Sequence, residues 1–428
     1  MPDAAARAAD GVQPGPAAVP GEAPRSPAAP SPSAWSPWRA VVGFGVVSLA
    51  ADMVYEGARS ITGPLLASLG ASALLVGIVT GAGEALALVL RLVFGPRVDR
   101  SGNYWSMTLS GYALTAVCVP ALALTPFLGA AGLAVAAVLV LAERTGKAVR
   151  SPAKSTLLAH AAGPVGLGRG FGVHKALDQV GAFAGPLLVA GIVAATGAIW
   201  PAMAALALPG AAAIGVLLWV RLRVGDPLGD EVRASARVRE SLRSTGRDLP
   251  REFWLFATSA GLTTAGLVTF GVISYHLVRE HVVTVAAVPV VYAAAMAAAA
   301  VAALITGWLH DRSKGRALLG LPVMVAVVPA LAFSGTWLVA LAGVLVWGAA
   351  GGVQDSTVKA LVAQLVPTAR RATGYGLFAA VQGGAAVAGG ALAGWLYDTS
   401  IPALVATVAV LQAVAFGLLV HTLRNRPA

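Results

Sequence analysis

From residue 38 onward the chain is a succession of apolar runs separated by short polar connectors. The runs fall at 38–60, 72–95, 105–125, 128–149, 169–194, 199–221, 253–278, 286–309, 317–334, 337–360, 371–396 and 401–423. A helix of about 20 residues crosses a hydrocarbon core of roughly 30 Å, and each run is close to that length. Lipid offers backbone N–H and C=O groups no partners, so spanning segments must be helices or closed barrels. Continuous apolar runs lack the alternation of a barrel strand. The expected fold class is therefore an all-α integral membrane protein with about twelve transmembrane helices.

Composition agrees. The 428 residues are 57% hydrophobic and only 11% charged, with a mean hydropathy of +0.77, whereas soluble domains carry about a quarter charged residues. Fifty glycines and 26 prolines suit membrane bundles, where glycine permits close approach and neighbouring helices satisfy backbone groups freed by proline. The lone Cys118 excludes an internal disulfide and reads as core filling. The net charge of +11 does not point to nucleic acid, because the basic residues sit in particular connectors. Those after even-numbered runs hold Arg97, Arg100, Arg150, Lys154, Arg169, Arg312, Lys314, Arg316, Arg370 and Arg371, while the others hold little beyond Arg279. This is the positive-inside pattern. It predicts a multi-pass protein of the cytoplasmic membrane with both termini in the cytoplasm and the lipid bilayer as its surroundings.

Residues 1–37, rich in Ala, Pro, Gly and Ser, cannot bury a core and are expected to form a disordered cytoplasmic tail. They are too long and too polar for the first region of a signal peptide. The basic segment 223–252 separates an N-terminal six-helix bundle, 38–222, from a C-terminal one, 253–424. It is either a helix lying on anionic lipid or a tether between the halves.

A repeat marks the two halves. Span 2 ends Gly95-Pro96-Arg97-Val98-Asp99-Arg100-Ser101-Gly102, and span 8 ends Gly307-Trp308-Leu309-His310-Asp311-Arg312-Ser313-Lys314-Gly315. Both read Gly-x-x-x-Asp-Arg followed by a glycine. Here the sequence resembles the major facilitator superfamily, and the resemblance covers about residues 38–424. It implies two pseudo-symmetric six-helix bundles around a central cavity, rocking to open it to one side and then the other. It also implies a cytoplasmic latch made of Gly95, Asp99, Arg100, Gly102, Gly307, Asp311 and Arg312. Asn103 and Tyr104 stand where the family has a basic pair, and the second copy has one extra residue before Gly315. In span 5, Gly181, Gly185 and Pro186 resemble the family's antiporter motif, though Val189 and Ala190 replace its closing glycines. The same residues also suit a plain close-packed bend.

Charges inside the spans supply the candidate chemistry. A charge at the bilayer centre costs at least ~2.5–3.5 kcal/mol, so each needs a partner or a wet cavity. At about 100° per residue, Asp52, Glu56 and Arg59 share one face of span 1, close to Tyr55. Glu56 and Arg59 are spaced to pair. Span 2 adds Glu84 and Arg91, and spans 4 and 5 add Glu143, Arg144, Lys147, Lys175 and Asp178. Asp52, Glu56 and Glu84 are the proton-coupling candidates, with Arg144 and Asp178 as a counter-charge pair. Arg91 and Lys175 are also placed to snorkel to the interface. The C-terminal half offers Asp355 with Lys359, and Gln354, Tyr375 and Gln382 for hydrogen bonds to a solute; His276 reads as interfacial.

The expected function is a monomeric secondary transporter moving a small solute, with proton-coupled efflux ahead of a solute:proton symporter. A non-transporting sensor on the same fold is a further alternative. Neither a His-Glu-x-x-His cluster nor a phosphate-binding glycine loop occurs, so no enzyme activity, metal or cofactor is expected.

Overall fold

The computed structural model describes residues 35–226, 249–313, 316–366 and 371–425. The expected tail and linker fall largely outside these, at 1–34 and 227–248. The helices are α1 (Pro37–Ser68), α2 (Ala73–Ser101), α3 (Tyr104–Ala121), α4 (Gly132–Ala162), α5 (Leu167–Thr196) and α6 (Ile199–Val224, broken once at Leu206) in the first half. The second half has α7 (Arg251–Arg279, broken between Gly266 and Phe270), α8 (Val288–Ser313), α9 (Gly320–Ala332), α10 (Trp337–Leu365), α11 (Arg371–Thr399) and α12 (Ile401–Arg424). Among the described residues, eleven helices are long and apolar enough to cross a membrane, and Ala317–Ala332 is a shorter apolar one.

Several helices outrun their expected ends. α1 continues past Arg59 to Ser68, α2 past Arg97 to Ser101 and α4 past Arg150 to Ala162. Arg59 and Arg150 do not mark helix ends, because both have partners inside the protein. Local chemistry sets the true ends. The Ser36 hydroxyl accepts from the Arg39 N–H with Pro37 in the first turn, so order begins before the expected residue 38. α2 starts at Ser72, whose hydroxyl accepts from Leu75 N–H. It stops at Gly102, which sits at φ +65° where a side chain would be strained. Cys118 is buried, as core filling requires.

Glycine sets which helices meet. On α1 and α5, a methyl group at Gly181 would collide with the Leu49 backbone and one at Gly185 with the Met53 backbone. Both glycines of the span-5 motif therefore serve close packing of α5 on α1. Between the halves, Gly77 and Gly81 of α2 lie against Gly390 and Ala386 of α11, and Gly394 lies against Ala73. The α2–α11 and α5–α8 contacts exchange under a shift of six spans, and α1–α7 maps onto itself. That is the relation expected of a duplicated bundle.

Candidate functional site

Two faces of the molecule can be told apart by sequence: one carries the basic connectors and the other does not. Toward the second face, the halves are closed. Gly63 on α1 abuts Gly271 on α7, and the hydroxyls of Thr80 on α2 and Thr269 on α7 are 2.8 Å apart. Thr269 lies in the break of α7, whose freed Val268 carbonyl accepts from the Trp347 indole at 2.8 Å. Further out, Arg279 stands 3.7 Å from Asp398, which also accepts from the Leu74 N–H at 3.1 Å. His276 is buried rather than interfacial, with Nδ1 3.0 Å from the Tyr397 hydroxyl and its ring against Phe333.

Beneath this closure lies a cluster of paired charges. Arg59 bonds Glu84 at 2.8 Å and stands 3.9 Å from Glu56, the pairing expected from their spacing. Arg144 is 3.6 Å from Glu84 and 3.5 Å from Glu143. Its guanidinium lies 4.5 Å from the centre of the Tyr55 ring and also bonds the Tyr55 hydroxyl. Glu56 accepts from Tyr292 of α8, a hydrogen bond between the halves that spacing within one helix does not predict. Arg59, Thr62, Thr80, Glu84 and Arg144 enclose, with Thr269, Phe270 and Gly271, a hollow of about 20 Å³, room for one water. The Glu84 side chain keeps 33% of its exposure and Arg59 26%, so the cluster is not sealed.

A second layer lies toward the basic face. Asp52 sits within hydrogen-bond reach of Asp178. Asp178 also takes the Ser48 hydroxyl at 2.8 Å and the Lys175 ammonium at 2.6 Å, and Lys154 bonds Ser48 at 3.2 Å. The expected Arg144–Asp178 pair is corrected here. Arg144 works at the level of Tyr55 and Asp178 at the level of Ser48, seven residues or about 10 Å apart along α1. The C-terminal half contributes neutral groups: Gln354 and Gln382 reach the Thr264 hydroxyl at 3.1 and 3.4 Å, and Asp355 is exposed. Lys359 lies outside the described side chains.

Of the expected latch, Gly95 has open space around it, and Asp99 and Arg100 are exposed. Asp99 accepts from Tyr104 at 3.4 Å, the residue that replaces a basic one. The side chains of Asp311 and Arg312, and the surroundings of Gly307, lie outside the described residues.

A polar, charge-lined hollow between two helical bundles of membrane-spanning length defines a membrane transporter. The chain belongs to the Major Facilitator Superfamily, whose profile matches residues 44–331 and again 255–428. It is 51% identical to an uncharacterized protein of Mycobacterium tuberculosis over 390 residues, 90% of this chain and 93% of that one. An uncharacterized MFS-type transporter of Methanocaldococcus jannaschii is 28% identical over 146 residues, 34% of this chain and 35% of that one. Among solved structures, a mutant of the peptide transporter POT matches with a TM-score of 0.70 at 13% identity, covering 91% of this chain and 96% of its own. A mutant of the nucleoside transporter NupG matches at 0.69 and 13%, covering 89% and 99%. At such identities these likenesses show the fold.

Proposed function

We propose that the protein is a proton-coupled exporter of a small solute, working as a monomer by alternating access in the cytoplasmic membrane with the basic face in the cytoplasm. The observation that carries this reading is the pair of charge layers on α1, α2, α4 and α5. They lie beneath a packed closure on one side, with Asp355 and Lys175 exposed on the other. In this arrangement the halves 38–222 and 253–424 rock about the α1–α7, α2–α11 and α5–α8 contacts.

Proton coupling is assigned to Asp52, Glu56 and Glu84, each with a distinct role. Two neighbouring carboxyls such as Asp52 and Asp178 are a place where one proton is held between oxygens. Lys154 and Lys175 stand ready to replace that proton with a positive charge. Glu56 links proton occupancy to the halves, since it accepts from Tyr292 across the divide. Glu84 is the shared anion of Arg59 and Arg144, and its release would free both guanidiniums.

The test uses everted membrane vesicles acidified inside, with a substrate found by a thermal-shift screen of small solutes. Added substrate should draw protons out of the lumen, and the Asp52→Asn, Glu56→Gln, Glu84→Gln triple variant should abolish this while the protein remains folded. Unchanged proton-driven flux in the triple variant would end the proposal. Proton movement in the opposite sense would make the protein a symporter.

A further inference from the structure

Two cations of the charged half stand outside its ion pairs. Glu56, Glu84, Glu143 and Asp178 are taken by Arg59, Arg144 and Lys175. Arg91 and Lys147 are within Coulomb reach of Glu84 yet form no ion pair with it. The Lys147 ammonium rests 3.7 Å from the centre of the Tyr55 ring, a cation–π contact that leaves its hydrogen-bond donors free. Arg91 is half-buried and has a buried Nε with no hydrogen-bond partner. Asp355, exposed on α10, is within Coulomb reach of Arg91 without an ion pair.

On the other half, Gln354 gives its amide N–H to Thr264 and leaves its Oε1 buried and unpartnered. A buried donor or acceptor without a partner costs about 1–3 kcal/mol, and such groups in a native structure call for an explanation. Here an orphaned guanidinium donor and an orphaned amide acceptor stand on α2 and α10, helices of different halves.

Resting on the transport reading, we infer that the solute is a small organic anion. Its carboxylate or phosphate is drawn by Arg91 and Lys147, and an N–H or O–H elsewhere on it is given to the Gln354 Oε1. The N-terminal half supplies charge recognition and the C-terminal half supplies neutral hydrogen bonding. A ligand bridging the two would engage both moving parts.

The test measures thermal stabilisation of the purified full-length protein by benzoate and phenyl phosphate, against benzamide and benzylamine of similar size. The expected result is stabilisation by one or both anions and none by the amide or amine; the two anion arms separate carboxylate from phosphate. The Arg91→Gln, Lys147→Gln double variant should raise the half-saturating anion concentration about tenfold or more, while Arg91→Lys with Lys147→Arg should restore most of the affinity. Stabilisation by benzylamine or benzamide instead, by neither anion, or by anions equally in the Gln double variant would overturn the inference. The wild-type ranking stands even where a variant fails to fold. Flux of the bound anion into proteoliposomes then separates the two readings. An anion that binds but never crosses defeats transport and leaves the site, whereas a transported amine keeps transport and defeats the anion site.

Discussion

The two halves share a topology and differ in how they treat charge. In α1–α6, Asp52, Glu56, Arg59, Glu84, Glu143, Arg144, Lys175 and Asp178 form two connected layers, whereas the described interior of α7–α12 relies on Thr264, Gln354 and Gln382. Duplication of a bundle therefore conserves where helices touch and leaves the chemistry free to diverge. Charges gathered in one half are able to pair there whichever way the halves move. That favours a carrier in which one bundle handles ions and the other completes the solute's seat.

The largest test of that contrast is Arg144→Ala. Its guanidinium is shared by Glu84, Glu143 and the Tyr55 hydroxyl, and removing one partner of a buried ion pair costs about 3–5 kcal/mol. A marked fall in the unfolding temperature of the purified protein and loss of flux are expected. Thr264→Val in the other half, which removes a neutral hydrogen-bonding centre, should cost about 1 kcal/mol. Equal losses from the two variants would mean that the halves are not energetically unlike.

Much of this contrast was legible in the sequence, for identifiable reasons. Span positions follow from hydropathy, and the Glu56–Arg59 contact follows from helical spacing within one element. The duplicated Gly-x-x-x-Asp-Arg pattern placed the halves. Contacts between elements were not legible, because they depend on relative depth and rotation. Arg144 and Asp178 look like partners by charge but occupy different layers. His276 reads as interfacial until Phe333 and Tyr397 cover it. Tyr292, a hydroxyl in an alanine-rich run, has no sequence signal that distinguishes it.

Tyr292→Phe gives the next largest effect and asks whether the charged half is coupled to the neutral one. The substitution keeps the packing on Phe270 and Trp347 and removes only the hydroxyl that Glu56 accepts from. A hydrogen bond to a charged group contributes about 1.5–3 kcal/mol. If the bond belongs to the closed state of the outer side, its loss should shift the population toward outward opening by about tenfold or more. Distance distributions between spin labels placed at the outer ends of α1 and α7 would read the shift. No change would confine Glu56 to the pairing with Arg59 inside its own half.

The smallest effect is expected at the exposed outer rim, where α7 and α11 of the C-terminal half pair beside α2. Arg279 and Asp398 are 3.7 Å apart with side chains 54% and 27% exposed, and exposed ion pairs contribute about 0–1 kcal/mol. Arg279→Gln should therefore widen the outer opening only slightly in the same distance measurement, by less than about fivefold in population. Raising the salt should reduce the difference from wild type, since exposed pairs are screened over a Debye length of about 8–10 Å. Asp398 would keep its bond from the Leu74 N–H, which ties α11 to α2 without the arginine. An opening as large as that of Tyr292→Phe, and insensitive to salt, would place the closure at this rim rather than at the buried contacts of Gly63, Thr80 and Glu56. The charged half would then no longer be the one that governs which side is open.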